Sequence, residues 1–135
     1  MTASGVVARF KPQVLAILAA IPEGRVTTYG TIAQHLRIGP RQVAFVLATL
    51  TAQESKRLPW FRVVGANGFV STTKLGIVGR KQIGRLRAEG VAVTPRNRVE
   101  DFRVLAWSPV EFSTRQFPKS RRIVGSDSVP RKSAR

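Results

Sequence analysis

Leu58-Pro59-Trp60-Phe61-Arg62-Val63-Val64, followed by Gly65-Ala66-Asn67-Gly68, is the stretch from which the fold is read. Two aromatics follow a proline, and a β-branched pair then favours extended backbone. Asn67-Gly68 is a strong reversal signal, because both residue types tolerate positive φ. The segment from Phe61 to Ser71 therefore reads as a β-hairpin, with Trp60 at its mouth held by Pro59 and the strand. Taken alone, Trp60 reads first as a packing residue, since large aromatics mostly pack.

Outward toward the N-terminus the chain is helical. Val14, Leu15, Ile17, Leu18 and Ile21 recur at helical spacing, which predicts a helix from Arg9 to Ile21 with Pro12 in its first turn. Thr28 suits the N-cap of a second helix, Tyr29 to Leu36, with Ile32, Ala33 and Leu36 inward. Arg37-Ile38-Gly39 reads as a turn in which Gly39 supplies the positive φ. Pro40 opens a third helix at the favoured first position. It is expected to run to about Gln53 with Val43, Val46, Leu47 and Leu50 on one stripe. Two short helices joined this tightly form a helix-turn-helix, whose second helix is the usual reader of DNA. Its outward positions include Arg41, Gln42, Phe45 and Thr49. Spacing alone fits an ordinary helical hairpin about as well.

Toward the C-terminus, Glu54 to Leu58 reads as a charged loop. Residues 71–79 fit a lid or wall over a pocket and a plain connector equally. Arg80 to Glu89 reads as a helix with Ile83 and Leu86 inward and Arg80, Lys81, Arg85 and Arg87 outward, stopped by Gly90. Val91 to Val93 is a short strand, and Val99 to Pro109 a last packed segment holding Trp107. Residues 110–135 read as a disordered basic tail, so the folded domain is expected over residues 9–109.

A chain of 135 residues suits one domain with one core. Its 23 Lys and Arg against 7 Asp and Glu give a net charge of +16. Seven basic and two acidic groups fall in residues 110–135, so the remainder keeps +11. Such charge points to a polyanion, with nucleic acid the default, although a solvated basic surface is the plain alternative. The absence of cysteine excludes disulfides, thiolate metal sites and a thiol nucleophile. One histidine, His35, leaves little for a metal or a proton relay. No cofactor is expected. No uncharged apolar run is long enough for a membrane span, and Met1 to Gly5 lacks a secretory pattern. The expectation is a cytoplasmic, nucleoid-associated protein with no membrane partner.

Several motifs carry a resemblance when taken together. Gly24-Arg25-Val26-Thr27-Thr28-Tyr29-Gly30-Thr31-Ile32-Ala33, Pro40-Arg41-Gln42-Val43, Pro59-Trp60-Phe61-Arg62-Val63-Val64-Gly65 and Arg87-Ala88-Glu89-Gly90-Val91 occur in that order. They closely resemble the C-terminal DNA-binding domain of O6-alkylguanine-DNA alkyltransferases. In those enzymes the hairpin reads Pro-Cys-His-Arg-Val, and the cysteine accepts the alkyl group. Trp60 stands at the cysteine position here, which marks the alkyltransferase-like proteins, whose usual form is Pro-Trp-His-Arg. Arg98-Val99-Glu100-Asp101-Phe102 through Trp107-Ser108-Pro109 also looks like the C-terminal signature of that group. The implied fold class is α/β, a small winged-helix-like domain with a helix-turn-helix and a β-hairpin.

The resemblance implies a DNA damage sensor that is not an enzyme. Its partner is double-stranded DNA containing O6-alkylguanine, bound in the minor groove, with the damaged base flipped into a pocket. Such a protein hands the lesion to nucleotide excision repair proteins. Trp60 and Tyr29 are the implied pocket side chains, and Val63, Ser71 and Thr73, within the stretch to Lys74, match positions that line the pocket with backbone groups. Arg41 is the implied arginine finger, and Thr28, Gln42, Phe45, Arg62 and Lys74 are the implied DNA contacts, Arg62 also serving the hairpin scaffold. Phe61 replaces the family histidine, so the base that activates a thiol is gone, and Glu89 is expected to be structural. Arg41 lies twelve residues after Tyr29, where the family usually has fourteen, and ungapped counting places Val43 in the finger position. Arg41 is preferred because a long cation can fill a hole in the stack, whereas Val43 is needed in the core. A phosphate contact near the helix N-terminus is the plain alternative for Arg41. The competing reading of the whole chain is a helix-turn-helix regulator without lesion specificity. It requires a dimer on a palindromic site; no dimerisation element is evident, so a monomer is expected.

Overall fold

A computed structural model of the chain describes residues 3–71 and 77–109; Thr73, Lys74 and the 110–135 tail lie outside them. The first helix, α1 (Ala3–Ala20), buries Val6, Phe10, Val14, Ile17 and Leu18 along one stripe that Ile21 continues. It starts six residues before the predicted boundary, because Val6 and Phe10 carry the apolar stripe two turns further. Pro12 thus sits inside the helix rather than in its first turn. It is tolerated on an exposed face, where water can serve the carbonyl left without a donor.

A two-residue strand, β1 (Thr27–Thr28), leads into α2 (Tyr29–Leu36). The Thr28 hydroxyl caps α2 by accepting the Thr31 N–H at 3.0 Å. The turn after α2 differs from expectation. Arg37, not Gly39, is left-handed (φ 61°), and the Ile38 N–H closes back on the Ala33 carbonyl at 3.0 Å. The reversal is complete at that point, so Gly39 is extended and serves as the N-cap of α3 (Pro40–Leu47). The third helix also stops short of Gln53. Thr51 opens a separate helix, α4 (Ala52–Arg57), where a loop was expected. The reason is a reciprocal cap: the Thr51 hydroxyl accepts the Glu54 N–H at 3.1 Å, and the Glu54 carboxylate accepts the Thr51 N–H at 2.8 Å. Lys11 on α1 pairs with the same carboxylate at 3.1 Å.

Trp60–Arg62 forms one 3-10 turn, followed by β2 (Val63–Val64). The chain then reverses through Ala66–Gly68, with Asn67 and Gly68 both at positive φ and the Gly65 N–H bonded to the Phe69 carbonyl at 2.8 Å. Glycine is required at 68 for two reasons: φ is +86°, and a Cβ would meet the Phe102 ring at 3.1 Å. The ladder of β2 is not with the residues across this turn. Val63 and Val64 pair in parallel with Thr27 and Thr28, while Val70 donates to the Asn97 carbonyl at 2.8 Å. Packing explains the choice, since the alternating side chains of β2 enter two different cores. Val63 joins the core of α1, α2 and α3, together with Leu58 and Trp107. Val64 joins a second core of Val26, Phe61, Val70, Ile83, Leu86, Val91, Val93 and Val99. The second core is covered by α5 (Ile77–Ala88), which Gly90 (φ 87°) terminates. A short α6 (Phe102–Leu105) then lets the backbone N–H of Trp107 donate to the Val26 carbonyl at 2.7 Å. No helix of the described residues is long and apolar enough to cross a membrane.

Candidate nucleic-acid interface

The third helix packs on α1 and α2 through Val43 and Val46, both fully buried. Its opposite side carries Arg41, Ala44, Phe45 and Ala48, all exposed. These positions are i, i+3, i+4 and i+7, one continuous helical face. Phe45 is 48% exposed on that face, unusual for a large aromatic. Val43, the alternative position for the finger, is sealed in the core. Two expected DNA contacts have local duties: Gln42 accepts the Gly39 N–H at 2.8 Å, and the Thr28 hydroxyl caps α2.

Beside this face lies an open cavity of ≈ 580 Å³, within the ~300–1,000 Å³ usual for ligand sites. Ala44 and Ala48 of α3 line one side. Val78, Lys81, Gln82 and Arg85, another i, i+3, i+4, i+7 stripe, line the α5 side. Trp60 and Tyr29, both half-buried, complete the wall. Phe61 props Trp60 edge-on, with ring centroids 6.0 Å apart and planes at 89°. Phe61 is itself buried, with the Arg62 and Arg85 guanidinium carbons 5.4 and 4.6 Å from its ring centre. Phe61 is therefore a packing residue here. Burial pushes the Tyr29 phenol above its ordinary value, so it is a neutral hydrogen-bonding group at neutral pH. Lys56, Lys81 and Arg85 bring positive charge to the lining.

The structure corrects two of the expected site residues, Ser71 and Arg62. The Val63 side chain is fully buried in the core, and its carbonyl accepts from Gln82 of the cavity wall at 2.7 Å. Ser71 is exposed and apart from the lining, because the chain after β2 runs toward Asn97. Arg62 is not a surface cation. It donates to both Glu89 carboxylate oxygens and, at 2.8 Å, to the Ile21 carbonyl. Glu89 also accepts the Gly24 N–H at 3.1 Å, so the pair is a brace joining three segments. The scaffold role of Arg62 thus stands and the DNA-contact role does not. Arg87 likewise donates to the Val93 carbonyl at 2.9 Å. Gln82 was missed, although helical spacing from Lys81 and Arg85 places it on the same stripe. Among the described residues no cluster could hold a metal.

Comparisons with known proteins give the family and the fold. Residues 9–91 match the sequence profile of the 6-O-methylguanine DNA methyltransferase DNA-binding domain. A DNA base-flipping protein of Vibrio parahaemolyticus is 34% identical over 103 residues, covering 75% of this chain and 98% of that protein. A DNA base-flipping protein of Escherichia coli is 43% identical over 94 residues, 67% of this chain and 69% of that protein. Among solved structures, Schizosaccharomyces pombe Atl1 in complex with damaged DNA containing O6-carboxymethylguanine superposes with a TM-score of 0.64 at 28% identity. That match covers 76% of this chain and 97% of that one.

Proposed function

This chain belongs to the family of the 6-O-methylguanine DNA methyltransferase DNA-binding domain, and we propose that it recognises O6-alkylated guanine in duplex DNA without altering it. The observation that carries the reading is Trp60 walling an open cavity beside an exposed helix face, at the position where the resemblance puts the acceptor cysteine of the enzymes. Alkyl transfer needs a thiolate, and the chain contains no cysteine. An indole cannot substitute as nucleophile at neutral pH, but it can stack.

The energetics favour that role. Extruding a base costs a few kcal/mol of unstacking, least for a damaged pair. Stacking on an aromatic wall returns about 1–3 kcal/mol per base. The face of Arg41, Ala44, Phe45 and Ala48 enters the minor groove, its two alanines allowing close approach. Arg41 fills the vacated place in the stack, with Phe45 beside it as an apolar contact. Arg80, Lys81 and Arg85 are exposed and suit phosphate contacts. Monomeric binding followed by capture of the complex by nucleotide excision repair proteins completes the reading.

Two measurements on one sample test it. Affinities for an O6-methylguanine duplex and the matched guanine duplex are compared at physiological salt, and the protein is then weighed by mass spectrometry. Tighter binding to the lesion with an unchanged protein mass is the expected result. Equal affinities would favour a plain helix-turn-helix binder, and an added alkyl mass would show repair chemistry.

A further inference from the structure

Two reversals of the chain sit side by side, away from the cavity. The Ala66–Gly68 turn and the turn at 94–97 are joined through backbone bonds: Val70 donates to the Asn97 carbonyl at 2.8 Å, and Val99 to the Gly68 carbonyl at 2.9 Å. Phe69 and Arg98 face each other in an antiparallel bridge between them. Their neighbours Gly68, Val70 and Val99 are buried, so by alternation Phe69 and Arg98 both stand on the outer side. Phe69 is 48% exposed. The Arg98 guanidinium carbon lies 5.5 Å from its ring centre, and Arg98 Nε donates to the Asn67 carbonyl at 2.9 Å. The guanidinium is thus fixed twice, and among the described residues nothing accepts from its two terminal nitrogens. Arg96, also exposed, stands on the adjoining turn. Residues 65–71 and 91–99 contain no acid; Glu100 and Asp101 follow them. None of these residues lines the cavity. Arg87, on the side of α5 opposite Val78 of the cavity wall, donates to the Val93 carbonyl, so the second turn extends from the far side of that helix.

An exposed aromatic ring beside arginines, with no carboxylate among them, suits a polyanion that also offers flat faces. Arginine forks match phosphate oxygens. The ring needs a base whose face is open. In a duplex each base face is covered by its neighbours, whereas a single strand presents bases and phosphates together. We propose that Phe69, Arg96 and Arg98 form a second nucleic-acid site, one that takes single-stranded DNA. A base stacks on the side of the Phe69 ring that Arg98 leaves open, and the two arginines hold the flanking phosphates. The site is separate from the α3 face and from the Trp60 cavity, so it goes beyond the lesion reading and does not depend on it.

The test uses the full chain and three ligands: an oligothymidylate of about 12 nucleotides, the same strand with every base removed (tetrahydrofuran spacers), and an unmodified duplex. Wild-type protein is expected to bind the oligothymidylate about tenfold more tightly than the baseless strand, the worth of one stacked base. Phe69→Ala should remove most of that difference, and Arg98→Ala should weaken both single strands. Neither should change duplex affinity by more than about twofold. Equal wild-type affinities for the two single strands would overturn the proposal by reducing the surface to its charge, and that arm involves no variant that could misfold. A base preference persisting in full in Phe69→Ala would overturn it as well, since the stacking would then lie elsewhere. So would an equal loss on the duplex in either variant, which would make the pair a flank of the duplex interface. None of these ligands carries O6-methylguanine, so failure of the lesion reading shows separately, in its own duplex comparison.

Discussion

Tyr29 is the chain's single tyrosine, so absorbance near 295 nm follows its phenol alone. Burial raises its pKa, and the titration midpoint is expected above the ordinary value of about 10. The folded pKa is the higher one, so the neutral phenol's contribution is complete below the unfolded pKa and is lost as pH rises through the folded value. A midpoint at or below the ordinary value would mean that the ring is solvated. Trp60 and Tyr29 were legible in the sequence because each sits in a motif with fixed neighbours. Gln82 was not, since an amide within a strongly basic helix resembles any surface position. Ser71 was misjudged for another reason: its place depends on where the chain runs after the Gly68 turn, which is set by long-range pairing near Asn97.

At the scale of elements, the short connections decided what the sequence did and did not show. The second helix followed from Thr28 and a clean apolar spacing. The fourth helix escaped, because an alanine and five polar or charged residues have no apolar stripe and depend on the Thr51–Glu54 cap. The parallel pairing of β1 with β2 spans a sequence separation that no local signal encodes. The Arg62–Glu89 brace is of the same long-range kind: it joins the end of α1, the Trp60 turn and the end of α5. Arg62→Ala leaves a largely buried carboxylate unpaired and is expected to destabilise the fold on the order of 3 kcal/mol. Urea unfolding measures it; a loss under about 1 kcal/mol would show the pair to be solvated and dispensable.

For the whole molecule, the proposed function assigns affinity to charge and selectivity to the cavity. With a net charge of +16, binding to any duplex should fall steeply with salt. Arg80→Ala, which removes a cation suited to a phosphate contact, is expected to lower the slope of log K against log salt by about one. An unchanged slope would place Arg80 away from the phosphates. The most direct test of the central claim is the affinity of Trp60→Ala for O6-methylguanine and guanine duplexes, measured side by side with wild type. Loss of an aromatic wall should reduce lesion binding about tenfold or more, corresponding to a stacking contribution of about 1–3 kcal/mol, and leave binding to unmodified duplex nearly unchanged. An equal loss on both duplexes would contradict the account, because it would make the indole part of the scaffold and not the surface on which the damaged base rests.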